Sequence, residues 1–229
     1  MSGRIRKMAD RLVPESLLRL LSYFVVIPGR RVPSEVNGLL EINYANGKKM
    51  LDSANTNYSY GSLQQVLRYG LSKMDLSAIS SVLVLGLGAG SVVHTLRKDF
   101  GFHGHITGVD VDPVIIDLAN AEYRVGEDRN VRMVCDDALG FLKDTGLQFD
   151  LIIIDLFVDK DVPQLVFDPA FRHGIQSHLT GKGQFVFNAG FDHQSSSVAP
   201  FIRELSLLFS VQEFSGPSGL NKLVIGRHL

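Results

Sequence analysis

The chain has 229 residues, of which 45% are hydrophobic and 21% are charged. This composition is typical of an ordinary globular protein, and the length is sufficient for one α/β domain with a small appendage. The formal net charge of -1 argues against a general nucleic-acid binder and against a membrane-surface binder. The single cysteine, Cys135, excludes an internal disulfide, so we expect a cytoplasmic protein with a small buried thiol.

An apolar run near the N-terminus follows several basic residues, as in a signal peptide. Arg19 interrupts the run, and no small-x-small cleavage site comes after it. The run is also too short to span a bilayer. We expect instead an amphipathic helix after Pro14 that packs through one apolar face. The residues expected on that face are Leu17, Leu18, Leu20, Leu21 and Phe24.

A hairpin is predicted next, over residues 38–53, where two short strand patterns flank Asn46 and Gly47. An Asn-Gly pair between strands is typical of a type I′ turn. Residues 1–60 are therefore predicted to form a small helix-and-hairpin unit. A helix over the following residues leads into the main domain, residues 61–229.

Strand and helix patterns alternate regularly after residue 80. The strand patterns are apolar almost throughout, which is typical of strands covered on both faces of a parallel sheet. Two final strand patterns are joined by so short a turn that they must be antiparallel. The sequence therefore predicts an α/β domain with a doubly wound, mostly parallel sheet and a final antiparallel hairpin. The predicted parallel strands are 81–86, 105–110, 131–135, 150–155 and 183–188, and the helices are 90–99, 113–123, 137–144, 168–178 and 196–208.

Three glycines at alternate positions follow the first of these strands: Gly86, Gly88 and Gly90. Glycine permits positive φ and allows a ligand to lie against bare backbone, and the next helix offers unpaired N–H groups to that ligand. We therefore expect a nucleotide-like ligand at this turn. Close packing is the alternative role of such glycines.

Acidic or amide side chains stand at the ends of four consecutive strands: Asp110 with Asp112, Asp136 with Asp137, Asp155, and Asn188. Ligands of doubly wound sheets bind at the carboxyl ends of the strands. Asp110 is placed to accept hydrogen bonds from two ribose hydroxyls, and Asp137 from an exocyclic adenine amine. Val111 and Ala138 would sandwich the ring, and Asp155 stands near the reacting end of the ligand. Helix capping is the alternative role for Asp112, Asp136 and Asp137.

Two nucleotide classes fit the turn. A nicotinamide dinucleotide prefers a third glycine one position later, where Ser91 stands, and it gives no reason for the later acids. S-adenosylmethionine, or its decarboxylated form, fits the turn and the acids together and is preferred. His103 and His105 lack further ligands at zinc-like spacing, so we expect no metal site.

The ordered series of segments resembles the spermidine synthase family within the class I methyltransferase superfamily. The segments are NGKKMLDS, VLVLGLGAGS, GVDVD, CDDALGFL, FDLIIIDLFVDKDVP and LTGKGQFVFN. The resemblance implies a seven-stranded methyltransferase-type sheet preceded by a small N-terminal β unit, S-adenosylmethionine or decarboxylated S-adenosylmethionine as cosubstrate, a small-molecule acceptor that can be an amine, and a homodimer.

The resemblance also implies roles for the matching residues. Asp155 matches the catalytic carboxylate that orients and deprotonates the attacking amine, and Asp159 or Asp161 lies near a second amine-binding acid. The resemblance assigns cosubstrate binding to Gly86, Gly88, Gly90, Asp110 and Asp137, and the strand-end pattern alone adds Val111 and Ala138 as neighbours of the ring. Tyr58 and Tyr60, which precede a predicted helix, are candidates for the acceptor side, with ordinary half-buried aromatics as the alternative.

Departures from the polyamine synthase pattern decide between reactions. Ala89 replaces the aspartate that holds an aminopropyl group, and Leu63-Gln64-Gln65 replaces a Tyr-x-Glu helix start. Methyl transfer to a small molecule is therefore the leading hypothesis. Aminopropyl transfer with an altered amine site is the second, and a non-catalytic nucleoside-binding or oligomerisation module is the third.

Overall fold

The computed structural model describes residues 13–53, 57–59, 62–158, 161–190, 197–217, 219 and 221–229. The chain divides into two compact units, a smaller one that ends at Leu63 and a larger one over Gln64–Leu229. Within the described ranges, every helix is too short or too polar to cross a membrane.

The smaller unit is a four-stranded antiparallel sheet in the order β1-β2-β3-β4, preceded by helix α1. The two residues between β2 and β3, Asn46 and Gly47, have φ of 50° and 74°, which confirms the predicted type I′ hairpin. The sequence patterns do not predict β1, because Pro28 and Pro33 each remove a backbone donor; the structure places them in an edge strand, where prolines are tolerated. The elements are α1 (Glu15–Leu21), β1 (Ile27–Ser34), β2 (Gly38–Ala45), β3 (Lys48–Ser53) and β4 (Asn57–Ser59).

The prediction that α1 packs through one apolar face is wrong. The helix buries none of its residues, and Leu20 and Phe24 are 59% and 86% exposed. Within residues 13–53 and 57–59, the elements beside these side chains are the four-stranded sheet and α1 itself, which has about two turns, and together they offer too little surface to enclose them. Leu17 and Leu21 are also exposed.

The larger unit is a seven-stranded sheet in the order β10-β11-β9-β8-β5-β6-β7. The pairs from β9 to β7 are parallel, whereas β11 is antiparallel to both β9 and β10. This confirms the predicted fold class. The strands are β5 (Ser81–Leu85), β6 (His105–Asp110), β7 (Val131–Cys135), β8 (Phe149–Ile154), β9 (Leu179–Asn188), β10 (Phe209–Ser215) and β11 (Lys222–His228). Helix α2 (Ser62–Leu71) begins just before the boundary between the units, and the further helices are α3 (Ser91–Asp99), α4 (Pro113–Ala121), α5 (Ala138–Asp144), α6 (Pro169–His178) and α7 (Val198–Leu205).

The core of this unit lies against the central strands. Leu83 of β5 and Ile152 of β8 are fully buried on one face of the sheet, and the next residues along the two strands, Val84 and Ile153, are fully buried on the other face. Rows of buried branched and aromatic side chains on both faces of a parallel sheet require helices on both faces. The buried centre of the sheet therefore carries the strand ends that hold the candidate site.

Cys135 is exposed, so the expectation of a buried thiol is wrong. The reason is its place at the end of β7, which is the last of the seven described strands in the sheet and pairs with β6. Partial desolvation of the sulfur and the negative charges of the surrounding carboxylates, Asp110 and Asp112 first among them, raise the pKa of the thiol. This thiol is therefore a poor nucleophile at neutral pH.

Candidate active site

The site lies where the strand order reverses, between β5 and β8. At such a switch point the loops after the two strands diverge and leave a crevice outside the carboxyl ends. Gly86 follows β5 and Asp155 follows β8, and the Asp155 N–H donates to the Leu85 carbonyl across 2.9 Å. A Cβ at position 86 would overlap the carbonyl oxygen of Asp155. Glycine at 86 therefore permits close approach of the turn to the candidate catalytic acid.

The glycine turn leads into α3 with a left-handed backbone. Gly86, Gly88 and Gly90 have φ of 87°, 54° and 79°, a region that side chains disfavour. Gly90 is the N-cap of α3 and provides no side-chain hydrogen bond to the first turn. The N–H groups at the start of α3 thus lack a side-chain cap, as expected where a ligand approaches a helix N-terminus. Ala89, within the turn, is fully buried.

Asp110 connects the turn to the end of β6. Its Oδ2 accepts from the Gly88 N–H across 2.9 Å, and its Oδ1 accepts from the Asp112 N–H across 3.1 Å. Burial raises the pKa of Asp110 to about 6, against the opposing effect of these backbone donors. Each carboxylate oxygen has two acceptor positions, so both oxygens can still accept a hydroxyl from a ligand.

The purine-side candidates follow β6 and β7. Val111 is 51% exposed. Because an apolar side chain gains free energy when it leaves water, Val111 offers a surface that the apolar face of a ligand can cover. Asp137 is the N-cap of α5, and its Oδ1 accepts from the N–H groups of Leu139 and Gly140, each across 3.0 Å. Both of these bonds use Oδ1, so Oδ2 is available to a ligand. Ala138 is buried beside it.

The capping role considered for Asp112 and Asp137 is thus present in the structure. Asp112 accepts from the Val114 N–H across 2.9 Å and caps α4. Asp136 accepts instead from the Asp137 N–H across 2.8 Å. Capping and ligand binding do not exclude each other at Asp137, because its two oxygens can serve different donors.

Asp155 is half-buried at the end of β8. Burial raises its pKa to about 6, and a hydrogen bond from Asn188 opposes that rise. The bond runs from Asn188 Nδ2 to Asp155 Oδ1 across 2.9 Å. A carboxylate with a pKa near 6 is largely ionised at pH 7 and is still basic enough to accept a proton from an acceptor molecule.

Asn221 contacts Asn188, the residue that donates to Asp155, and the sequence patterns do not predict this contact. It precedes β11, is 3% exposed, and its Nδ2 lies 3.4 Å from Asn188 Oδ1. No spacing rule connects it with Asp155, because only the antiparallel pairing of β11 with β9 brings the two regions together.

Part of the predicted acceptor side lies outside the described residues. This holds for Tyr60, Asp159 and the side chain of Tyr58, whose backbone is in β4. Asp161 is described and forms an antiparallel bridge with Val158. Among the residues that the structure places, no group of three or more His, Cys, Asp or Glu side chains has the arrangement of a metal site.

A comparison with known families decides the relationship of this chain to others. The model of the spermine/spermidine synthase domain matches residues 67–210, which is more than half of the chain. The chain belongs to the spermine/spermidine synthase family. The resemblance drawn from the segments around the glycine turn and the strand ends is thereby confirmed.

Curated proteins similar to this spermine/spermidine synthase family member are named as polyamine aminopropyltransferases and as methyltransferases, among them an eEF1A lysine and N-terminal methyltransferase homolog of Drosophila melanogaster, 27% identical over 117 residues that are 47% of this chain and 17% of that protein. A polyamine aminopropyltransferase of Vibrio vulnificus is 27% identical over 124 residues, which are 51% of this chain and 41% of that protein. Human methyltransferase-like protein 13, solved in complex with SAH, superimposes with a TM-score of 0.60 at 20% identity, over 74% of this chain and 83% of that one. Spermidine synthase from Thermotoga maritima gives a TM-score of 0.60 at 16% identity, over 88% and 72%. The chain thus spans about two fifths of the length of the Vibrio relative, and it shares the fold of both structural neighbours.

Proposed function

We propose that this family member transfers a methyl group from S-adenosylmethionine to a small-molecule acceptor. Support for a nucleoside comes from three groups at one sheet edge: the left-handed glycine turn, the strand-end acid Asp110, and the exposed apolar Val111. A ribose needs acceptors for two hydroxyls, and a purine needs apolar surface. These residues fit both needs.

Each polar contact of the proposed cosubstrate site uses an atom that can form a further hydrogen bond. Asp110 would accept the ribose hydroxyls, and Asp137 Oδ2 would accept the adenine amine. Val111 and Ala138 would cover the ring faces, and the N–H groups at the start of α3 would face the ligand. The glycines Gly86, Gly88 and Gly90 keep side chains out of this space.

When bound, S-adenosylmethionine supplies an electrophilic methyl carbon and a neutral thioether as leaving group. The protein's task is therefore to align the acceptor and to exclude water. We propose that Asp155 holds the acceptor's attacking N–H or O–H through Oδ2 and takes up its proton. Its pKa of about 6 suits that exchange near neutral pH.

Ala89 is the observation that favours methyl over aminopropyl transfer. In the polyamine synthases that the chain resembles, an aspartate at this position holds the cationic aminopropyl group. Here the residue is a fully buried, uncharged side chain. Gln64, which falls where those enzymes have a Tyr-x-Glu helix start, is also neutral, and its Nε2 donates to Thr95 Oγ1 across 3.0 Å. Aminopropyl transfer is the second candidate, supported by the Vibrio vulnificus relative.

Calorimetric titration of the full chain with both sulfonium nucleosides tests the proposal. We expect S-adenosylmethionine to bind at least about tenfold more tightly than its decarboxylated form, a difference of about 1.4 kcal/mol. The opposite preference would support aminopropyl transfer. Binding of neither would refute both reactions and leave a non-catalytic module.

The acceptor class and the homodimer stay predictions. A small amine or hydroxyl compound fits a single proton-accepting carboxylate, and transfer of labelled methyl groups to a panel of such compounds tests it. Sedimentation velocity tests the dimer, for which the exposed apolar side chains of α1 are the first surface to mutate.

A further inference from the structure

A buried amide contacts the candidate catalytic acid, and its orientation follows from its other neighbour. Asn188 is fully buried at the end of β9. Its side-chain Oδ1 accepts from the Gly190 N–H across 3.2 Å, while its Nδ2 lies 2.9 Å from Asp155 Oδ1. A backbone N–H can only donate, so the atom that faces Gly190 must be the amide oxygen. Asn188 therefore presents donors to Asp155.

A second buried amide supports this orientation from the last hairpin. Asn221 donates from Nδ2 to the same Asn188 Oδ1 across 3.4 Å. Its own backbone is held, because its carbonyl accepts from the Gly216 N–H across 2.7 Å. Since β11 runs antiparallel to β9, the first residues of β11 lie beside the last residues of β9, and Leu223 pairs with Asn188. The fold thus places two amides in series behind Asp155.

We propose that Asn188, oriented by Asn221, is a positioning residue that holds Oδ1 of Asp155 and leaves Oδ2 for the acceptor. The inference rests on the proposed role of Asp155. A half-buried carboxylate without a donor can rotate about its last bond and favours its protonated form. A donor on one oxygen restricts the rotation and stabilises the charged form. Asn188 therefore keeps the proton-accepting group both aligned and ionised.

Carboxyl carbon NMR titration of the ligand-free full chain tests this arrangement without any assay of activity. The Asp155 signal is assigned by its loss in Asp155→Asn. In Asn188→Leu, which has a similar shape and no donor, we expect Asp155 to titrate about one pH unit higher. In Asn221→Ala we expect a smaller change in the same direction, because Asn188 remains but is less firmly held.

Gln184→Leu is the matched control. Gln184 is another amide on β9, is 9% exposed, and bonds instead to Asp75 and Arg227. Its replacement should leave the Asp155 titration unchanged. An unchanged titration in folded Asn188→Leu, or an equal change in Gln184→Leu, would overturn the inference. If Asn188→Leu does not fold, Asn221→Ala decides alone, and no change there is equally contrary.

The kcat profile separates this inference from the proposed function. If the wild type transfers methyl groups, the acid limb of kcat in Asn188→Leu should move to higher pH with the NMR titration, while KM for the cosubstrate changes little. If the wild type shows no transfer and yet the NMR titration moves, the proposed function fails and the contact between Asn188 and Asp155 stands.

Discussion

The backbone N–H of Gly88 donates to Oδ2 of Asp110 across 2.9 Å, so the glycine turn and the end of β6 form one hydrogen-bonded unit. Because Gly88 has φ of 54°, its N–H points to the strand end in a conformation that side chains disfavour. The turn is thereby held in place before any ligand arrives, and pre-organisation of this kind reduces the ordering cost of binding.

The affinity for S-adenosylmethionine should depend on pH through Asp110. Its pKa is about 6, and the protonated acid is a poorer acceptor for two ribose hydroxyls. Below pH 6 a proton competes with the ligand, so the dissociation constant should rise about tenfold between pH 7 and pH 5. Calorimetry across that range measures the change. Asp110→Asn should bind more weakly at pH 7 and lose this dependence, while Asp117→Asn, at an exposed carboxylate of α4, should behave as the wild type.

Replacement of Asp155 by Asn should abolish turnover and spare cosubstrate binding, because the amide cannot accept the acceptor's proton. It should also stabilise the protein. The folded-state pKa of Asp155, about 6, lies above the ordinary 3.8, so the ionised form costs stability above pH 6. The gain should be about 1–3 kcal/mol at pH 8 and should vanish as the pH falls towards 4. Urea unfolding at the two pH values measures it, and unchanged turnover would refute the catalytic role.

The strand ends were the most predictable part of this molecule. Near-continuous apolar strands and the glycine turn determine a parallel sheet, and parallel strands bring their carboxyl ends to one edge. For that reason Asp110 and Asp155 can be placed near Gly86 from their positions in the sequence alone. The hydrogen bond at Gly88 and the backbone contact between Gly86 and Asp155 agree with that placement.

Two kinds of feature could not be predicted from local sequence patterns. One depends on the pairing of strands that are distant in sequence, and the other depends on whether a second layer of structure covers a helix face. Asn221 approaches Asn188 only because β11 inserts antiparallel beside β9, and no local pattern encodes that insertion. The leucines of α1 have a helical period, which predicts a buried face only if another layer covers it. Phe24 is 86% exposed, so period alone was insufficient evidence of burial.

Replacement of Ala89 by Asp should weaken binding of S-adenosylmethionine by about tenfold or more. The reason is that the introduced carboxylate would repel the carboxylate of the ligand, which has the same charge. The decarboxylated form lacks that carboxylate and should lose less affinity. Since Ala89 is fully buried, the larger neutral residue in Ala89→Asn is the necessary control for size. Titration of both variants with both nucleosides measures the difference. Equal losses in the two variants would show that charge at position 89 does not select the nucleoside.

Asp150 should be a major stabilising residue at the amino-terminal ends of the strands, opposite the ends that form the candidate site. Its Oδ2 accepts from the N–H and hydroxyl groups of Ser80 and Ser81, at 2.8–3.1 Å, and its Oδ1 accepts from the Thr180 hydroxyl at 3.0 Å. One carboxylate thus joins the starts of β5, β8 and β9. Although burial raises the pKa of Asp150, these hydrogen bonds lower it to about 2.

Removal of this carboxylate should therefore cost stability in a defined pH window. Since the folded-state pKa lies below the ordinary 3.8, the contribution is complete above pH 4 and is lost as the pH falls towards 2. Asp150→Ala should lower the free energy of unfolding by about 1–3 kcal/mol at pH 7. The exposed Asp144→Ala should change it by less than about 0.5 kcal/mol. If urea unfolding gives the same value for both variants, the connection of three strands by Asp150 does not stabilise the sheet.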